Sequence, residues 1–393
     1  MIYNDFFTKI LIEAEQNNRY RKFTNISRIC GQFPQAVNNN NGHKITIWCS
    51  NDYLSLGQNE DSINNAKILI EKTGIGAGGT RNISGTSKEI VKLEDKIAKL
   101  HKKESSLVFT SGYIANEATI NTLSKIIPNL IIFSDEENHA SIIAGIKNSQ
   151  LKKHVFRHND AEHLEELLNK YDIDQPKIII FESVYSMSGD FGKINEISNL
   201  AKKYNAMTML DEVHAVAIYG QNGAGRANQI KEDNKIDIIQ GTLGKGFGVV
   251  GGYIAANKQI IEAIRLTASS FIFTTAMPPI IAQCAFDNIS FLEQNPNLIN
   301  DFQDNVTKTK TILKEHNINI SQSDSHIIPL IIGNAEKTKY IYQTLLEDFH
   351  IYLQNIDYPT VKLGSEMLRI TPNILHNEEM IYHLAKSLQK VIY

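Results

Sequence analysis

One lysine stands among small residues at 241–252, GTLGKGFGVVGG, just past the apolar stretch IDIIQ. A lysine is long, charged and ordinarily solvent-exposed. Neighbours with almost no side chain either cradle a phosphate that the lysine neutralises or clear space for a group attached to its amine. A phosphate loop needs four residues between its first glycine and Gly-Lys, then a hydroxyl residue for the metal. Here two residues separate Gly241 from Gly244, and Gly246 follows Lys245, so that chemistry fails on both counts. Upstream, AMTMLDEVHAVAIYG ends an apolar run at Asp211 and sets His214 three residues later. Singly these residues have ordinary roles: a surface lysine, an acid capping a turn, a packing histidine. DEVH is not H-E-x-x-H, so a zinc-protease site has no support.

An amine, an acid and an imidazole at neighbouring strand exits fit pyridoxal phosphate. Its aldehyde condenses with a lysine amine. Its ring nitrogen must stay protonated to accept electrons, and a buried carboxylate keeps it so. Three further stretches supply complementary parts. SLVFTSGYIANEA places Ser111, Gly112 and Tyr113 between a strand and a helix, where free N–H groups bind phosphate. SDEENHASI sets His139 at another strand exit, where a flat ring can stack on a cofactor; Ser186, in FESVYSMSGD, is placed to reach the ring oxygen.

The elements that must position these residues follow from the apolar pattern. Short β-rich runs occur at 106–110, 130–134, 177–183, 206–211, 236–241 and 251–256, with helical stretches such as 87–102, 161–171 and 196–205 between several of them. Strand–helix alternation with apolar strands predicts an α/β fold whose mainly parallel central sheet is covered on both faces. In such sheets ligands bind at the carboxyl ends of strands. From about 286 polar helices precede short strands at 326–333 and 350–356. This texture predicts an N-terminal arm over 1–45, a large cofactor-binding domain over 46–285 and a smaller α+β C-terminal domain over 286–393. The first residues, MIYNDFFTKILIEAEQNNRY, predict an amphipathic helix with Phe6, Ile10, Leu11 and Ala14 on one face.

Composition narrows the class. With 393 residues, 42% of them hydrophobic, the chain can bury more than one core. A net charge of -3 offers no basic field for nucleic acid or an anionic membrane. No apolar run approaches the ~20 residues that span a bilayer, and the acids near the N-terminus do not suit a secretory or transit signal. Cys30, Cys49 and Cys284 are isolated, which argues against a disulfide framework or a zinc knuckle and for a reducing, cytoplasmic setting. No metal site is expected.

Taken together, WCSNDYLSLGQ (48–58), GAGGTRNISGT (76–86), HNDAEHL (158–164), FESVYSMSGDFG (181–192), DEVHAVAIYG (211–220), GTLGKGFGVVGGYIA (241–255), FIFTTAMPP (271–279) and IDYPTVKLGSEMLRITP (356–372) resemble the α-oxoamine synthases. These are fold-type I pyridoxal-phosphate enzymes, aspartate aminotransferase-like in fold, and the likeness covers nearly the whole chain. DEVHAV and TRNISGT are most similar to the branch that condenses glycine with succinyl-CoA. The resemblance implies that Lys245 carries the cofactor and Asp211 pairs with its ring nitrogen. It implies that His139 stacks on the ring, that His214 and Ser186 reach the phenolic oxygen, and that Ser111, Gly112, Tyr113 and Thr242 surround the phosphate. Thr274 and Thr275 are implied to reach the phosphate of a second subunit, making a homodimer with shared sites. Asn51 and Arg369 match positions at the amino-acid carboxylate. Arg21 matches the residue that binds the succinyl carboxylate, in a pocket shaped by Asn51, Thr80 and Ile83 and lined by Thr360. The sequence departs from the family at Ser188, where an acid is often found, and at Gly246, where alanine is usual. KLGSE and AMPP also stand for the more usual PRGTE and SLPP. Sibling transferases using acetyl-CoA with glycine, pimeloyl-CoA with alanine or a fatty acyl-CoA with serine are the nearest alternatives. A non-catalytic module on this fold would be expected to lack Lys245, and a nucleotide-binding oxidoreductase would need a strand before GIGAGGT.

Overall fold

Strand Lys177–Glu182 is buried at all six positions, as a strand covered on both faces must be. It lies inside a seven-stranded sheet in the computed structural model of the chain, which describes residues 2–393. The sheet order is Ser105–Phe109, Gly252–Ala256, Ile238–Thr242, Met207–Asp211, Lys177–Glu182, Ile131–Asp135 and Lys153–Phe156. Gly252–Ala256 runs antiparallel to both of its neighbours, and the other pairings are parallel. The six strands expected from apolar runs are all present. Lys153–Phe156 was not expected: it is an edge strand, exposed at alternate positions, and KHVF carries too little apolar signal.

Helices cover the sheet as the alternation requires. One face packs Leu107, Ile178, Ile180, Met209 and Ile254 beneath helices Gly112–Ile126, Ala140–Ser149 and Lys258–Thr267. The other packs Phe133, Ile179, Phe181, Leu210 and Ile239 against residues of Ala161–Leu168 and Ile194–Lys203. Polar N-caps start many of these helices. The Ser111, Asp160 and Asn257 side chains accept from backbone N–H groups in the first turn, satisfying donors that a helix leaves unpaired.

The chain divides into two compact units. The larger holds residues 51–186 and 190–300, and the smaller holds 1–50, 187–189 and 301–393. The division expected from texture, 1–45, 46–285 and 286–393, differs from this at three places, one of them the short segment 187–189. Residues 1–50 join the C-terminal unit because strand Lys44–Ile47 pairs with Ile351–Tyr352, and Ile45, Ile47 and Trp48 pack with Leu368, Ile381 and Leu384 in one core. Helix Pro279–Gln294 belongs to the larger unit because it packs on helices Lys88–Leu100 and Glu60–Thr73. The smaller unit also contains a three-stranded sheet of Ile328–Ile331, Met367–Ile370 and Asn355–Ile356. The expected N-terminal helix spans Ile2–Gln16, but Phe6, Ile10 and Leu11 are exposed. Among the described residues no helix is long and apolar enough to cross a membrane.

Candidate active site

Parallel strands deliver their carboxyl ends to one rim, and the larger unit uses that rim as expected. Strand Met207–Asp211 ends on Asp211, Lys177–Glu182 ends on Glu182, and Ile238–Thr242 ends three residues before Lys245. A cavity of about 180 Å³ opens there. Its wall brings together Gly112, Tyr113, His139, Asp211, His214, Thr242 and Lys245, all singled out from the sequence. It adds Asn116, Ser141, Glu182 and Val213, which were not.

The lysine amine lies 2.6 Å from Nε2 of His214, whose Nδ1 is 2.8 Å from the Tyr53 hydroxyl; that hydroxyl donates to Oδ1 of Asn51 at 3.2 Å. One proton arrangement satisfies all three contacts. Lys245 donates to Nε2, the Nδ1–H of a neutral His214 donates to Tyr53, and Tyr53 donates to Asn51. His214 and Tyr53 are buried, so the relay is held away from bulk water.

Asp211 is 4% exposed and accepts from two N–H donors, the Val213 amide at 2.9 Å and Nδ2 of Asn116 at 2.7 Å. The second hydrogen of the Asn116 amide goes to Oγ of Ser141 at 3.0 Å, and Ser141 Oγ lies 2.7 Å from Nδ1 of His139. That Nδ1 already accepts the Ser141 amide at 3.2 Å, so the serine hydroxyl donates to it as well. Asn116 and Ser141 thus tie the acid to the imidazole. Burial lowers the pKa of His139, with Lys245 acting in the same direction and Asp211 opposing, so the ring is neutral at physiological pH. Glu182 accepts the His139 amide at 2.5 Å. Burial, then the charge of Asp211, push its carboxyl well above the usual range.

Ser111 is the N-cap of helix Gly112–Ile126, its hydroxyl accepting the Ile114 amide at 3.2 Å. Gly112 and Tyr113 are the first two residues of that helix, where N–H groups have no intrahelical acceptor. The positive end of the helix therefore faces the cavity, a setting that binds phosphate. Thr242 sits on the wall, its hydroxyl donating to the Gly251 carbonyl at 2.8 Å and accepting the Gly244 amide at 3.1 Å.

Among the described residues Ser111, Ser186, Thr274 and Thr275 are not on this wall. Ser186 is half-buried in the turn after Glu182. Thr275 forms a β-bridge with Thr80, whose hydroxyl donates to Asn82, and Ile83 on the same loop is exposed. In the smaller unit, Arg21 Nη2 donates to Thr360 Oγ1 at 2.9 Å, and both line a separate cavity of about 280 Å³ with Asp357. Arg369 is buried on strand Met367–Ile370, opposite Pro329.

The residues missed from the sequence had signals. Asn116 lies one helical turn beyond Gly112 and so shares its face. Ser141 stands two residues past His139, at the start of the helix that His139 caps. Tyr53 lies inside WCSNDYLSLGQ, and Glu182 inside FESVYSMSGDFG.

Residues 43–388 match the family model of aminotransferase class I and II. A 5-aminolevulinate synthase of Rickettsia bellii is 46% identical over 389 residues, covering 99% of this chain and 94% of that protein. One of Bradyrhizobium diazoefficiens is 47% identical over 393 residues, covering 100% of this chain and 96% of that protein. The chain belongs to the 5-aminolevulinate synthase family. Among solved structures, a serine palmitoyltransferase from S. paucimobilis with PLP–myriocin bound superposes with a TM-score of 0.89 at 26% identity, over 98% of this chain and 96% of that one. The site suits the cofactor of that neighbour. For a 5-aminolevulinate synthase family member, the amine of Lys245, the anion of Asp211 and the N-terminus of helix Gly112–Ile126 match an aldehyde, a pyridinium and a phosphate in one cavity.

Proposed function

We infer that this chain is a 5-aminolevulinate synthase, condensing glycine with succinyl-CoA and releasing CoA, carbon dioxide and 5-aminolevulinate with pyridoxal phosphate as cofactor. The observation that carries the reading is the 2.6 Å contact of Lys245 with His214 in a cavity shared with Asp211 and a helix N-terminus. When bound, pyridoxal phosphate supplies an aldehyde for the amino group and an electron sink for bonds broken at the glycine α carbon.

The chain's own residues do the rest. Lys245 would anchor the cofactor through its amine, and the same amine is the base placed to remove the glycine α-proton. His214 accepts from Lys245 at Nε2 and so holds the amine oriented in the cavity. Asp211 keeps its negative charge opposite the ring nitrogen. Neutral His139 stacks on the ring, and Ser186 and His214 reach its phenolic oxygen. The Gly112 and Tyr113 amides, with Ser111 and Thr242 beside them, hold the phosphate. Arg369, with Asn51, grips the glycine carboxylate through the planar fork of its guanidinium. Arg21 selects the charged acyl group, with Thr80, Ile83 and Thr360 around it. His139 or His214 donates to the oxyanion that forms at the thioester carbonyl.

We assign Thr274 and Thr275 to the phosphate of a second copy, so the working form is a homodimer. Phe273 and Ile83 are 82% and 78% exposed, and burying such side chains is what a second copy would supply. The setting is cytoplasmic. A panel of acetyl-, succinyl-, pimeloyl- and palmitoyl-CoA against glycine, alanine and serine tests the assignment. Succinyl-CoA with glycine is expected to give by far the highest kcat/KM, and a preference for any other pair would overturn it.

A further inference from the structure

His158 is absent from the cavity wall and has no part in the chemistry above, yet it stands in one of the densest polar clusters of the larger unit. Its Nδ1 lies 2.8 Å from Oδ1 of Asp135 and its Nε2 lies 2.7 Å from Oδ2 of Asp190. Asn159, in the left-handed conformation at φ 53°, extends both contacts. Its amide donates to Oδ2 of Asp135 at 3.0 Å, and its side chain donates to Oδ2 of Asp190 at 2.7 Å and to the Phe191 carbonyl at 3.1 Å. The His158 amide donates to Oε1 of Glu136 at 3.0 Å, and the Tyr185 ring meets the imidazole edge-on at 4.3 Å.

The two acids belong to segments that carry site residues. Asp135 ends strand Ile131–Asp135, four residues before His139, and also accepts the Glu137 amide at 2.9 Å. Asp190 closes the turn that holds Ser186, where Tyr185 donates to the Asp190 carbonyl at 3.1 Å and Val184 bridges Phe191. Burial alone would lower the imidazole pKa; hydrogen bonds to Asp135 and Asp190 more than offset it and raise it to about 10. The group is therefore a cation joined to two carboxylates, stronger than neutral contacts would be.

We propose that His158 is a positioning residue of the reaction, which through Asp135 and Asp190 ties the His139 loop to the turn after Glu182 and so fixes that side of the cavity. The inference rests on the cofactor reading given above. A small displacement of such a pair is enough to matter, since about 1 Å of misplacement can cost 10²-fold in rate.

The test uses wild type, His158→Gln, Asp190→Asn and the double variant. It measures pyridoxal phosphate affinity by equilibrium dialysis, melting of the cofactor-free protein, and kcat and KM separately. His158→Gln is expected to weaken cofactor binding and lower kcat by about tenfold or more, with KM for both substrates within about threefold. Melting of the cofactor-free protein should stay within about 4 °C. Asp190→Asn should move affinity and kcat the same way, and the double variant should be no worse than the worse single one, because both cut one link. Cofactor affinity within about twofold of wild type in the folded single variants, or additive losses in the double, would overturn the proposal. If His158→Gln fails to fold, Asp190→Asn, which keeps the Asp135 contact, decides on the same criteria. Wild-type protein that binds no pyridoxal phosphate would remove the cofactor reading itself and this inference with it.

Discussion

His214 accepts a hydrogen bond from Lys245 at Nε2 and donates its Nδ1–H to Tyr53, so one side chain orients the amine and is itself held in place. Asp211, anchored by Asn116 and Val213, and Glu182, whose carboxyl burial pushes well above its usual range, face the same cavity. At this scale the acyl selectivity is the sharpest prediction. Arg21→Leu should lower kcat/KM for succinyl-CoA by about two orders of magnitude, the loss expected when a carboxylate is stripped of its partner. Acetyl-CoA use should change little, because it has no carboxylate to lose. Equal losses on both thioesters, measured side by side, would take Arg21 out of the acyl pocket. Lys245, Asp211, His139 and His214 were legible because a charged residue among glycines, or at the end of an apolar run, is visible in one dimension. Asn116, Ser141 and Tyr53 were not, because their value lies in contacts to residues up to 161 positions away.

At the scale of elements, the lysine loop fits against the turn after DEVH with almost no clearance. A Cβ on Gly246 would stand 2.7 Å from Cβ of Ala217 and 2.8 Å from the Val216 carbonyl. Ala217 itself is left-handed at φ 73°, a conformation that costs an L-residue about 1–2 kcal/mol. Only one methyl group fits between the two segments, which explains why alanine, usual in the family at 246, is glycine here. Gly246→Ala should therefore lower stability by about 1–3 kcal/mol. Adding Ala217→Gly should restore part of it, the contact with the Val216 carbonyl remaining, as thermal melts of the two singles and the double would show. Equal stability of the Gly246→Ala protein with and without the second change would contradict this packing. Ser111→Ala should cost about 1 kcal/mol through the lost cap, and should also weaken pyridoxal phosphate binding, because the same turn offers its N–H groups to the phosphate. Strong apolar runs made six strands of the large sheet readable. Edge strand Lys153–Phe156 is defined by its partner, not by its own composition, and the strand expected at 350–356 is present as two short pieces, Ile351–Tyr352 and Asn355–Ile356, that join different sheets.

The molecule as a whole carries buried carboxyls that make its stability depend on pH. Glu212 accepts the Arg226 and Ala227 amides at 2.9 and 2.8 Å, yet burial outweighs these bonds and raises its pKa to about 6 from the ordinary 4.5. A raised folded-state pKa favours the folded chain fully below 4.5, and this contribution is lost as pH rises through 6. That rise corresponds to about 2 kcal/mol. Glu212→Gln should flatten urea-unfolding stability between pH 4.5 and 7 relative to wild type, and an unchanged slope would show that Glu212 does not set it. The order of the two units was less legible than their content. Residues 1–50 share a core with the C-terminal region through pairing that no local pattern announces, whereas the larger unit announces itself strand by strand.

The claim on which the rest depends is that Lys245 bonds covalently to the cofactor. Purified protein incubated with pyridoxal phosphate, reduced with borohydride, digested and analysed by mass spectrometry tests it directly. The account predicts a single pyridoxyl label on the peptide containing Lys245 and none on that peptide in Lys245→Ala protein. A label on another lysine, or an unlabelled wild-type chain, would contradict it.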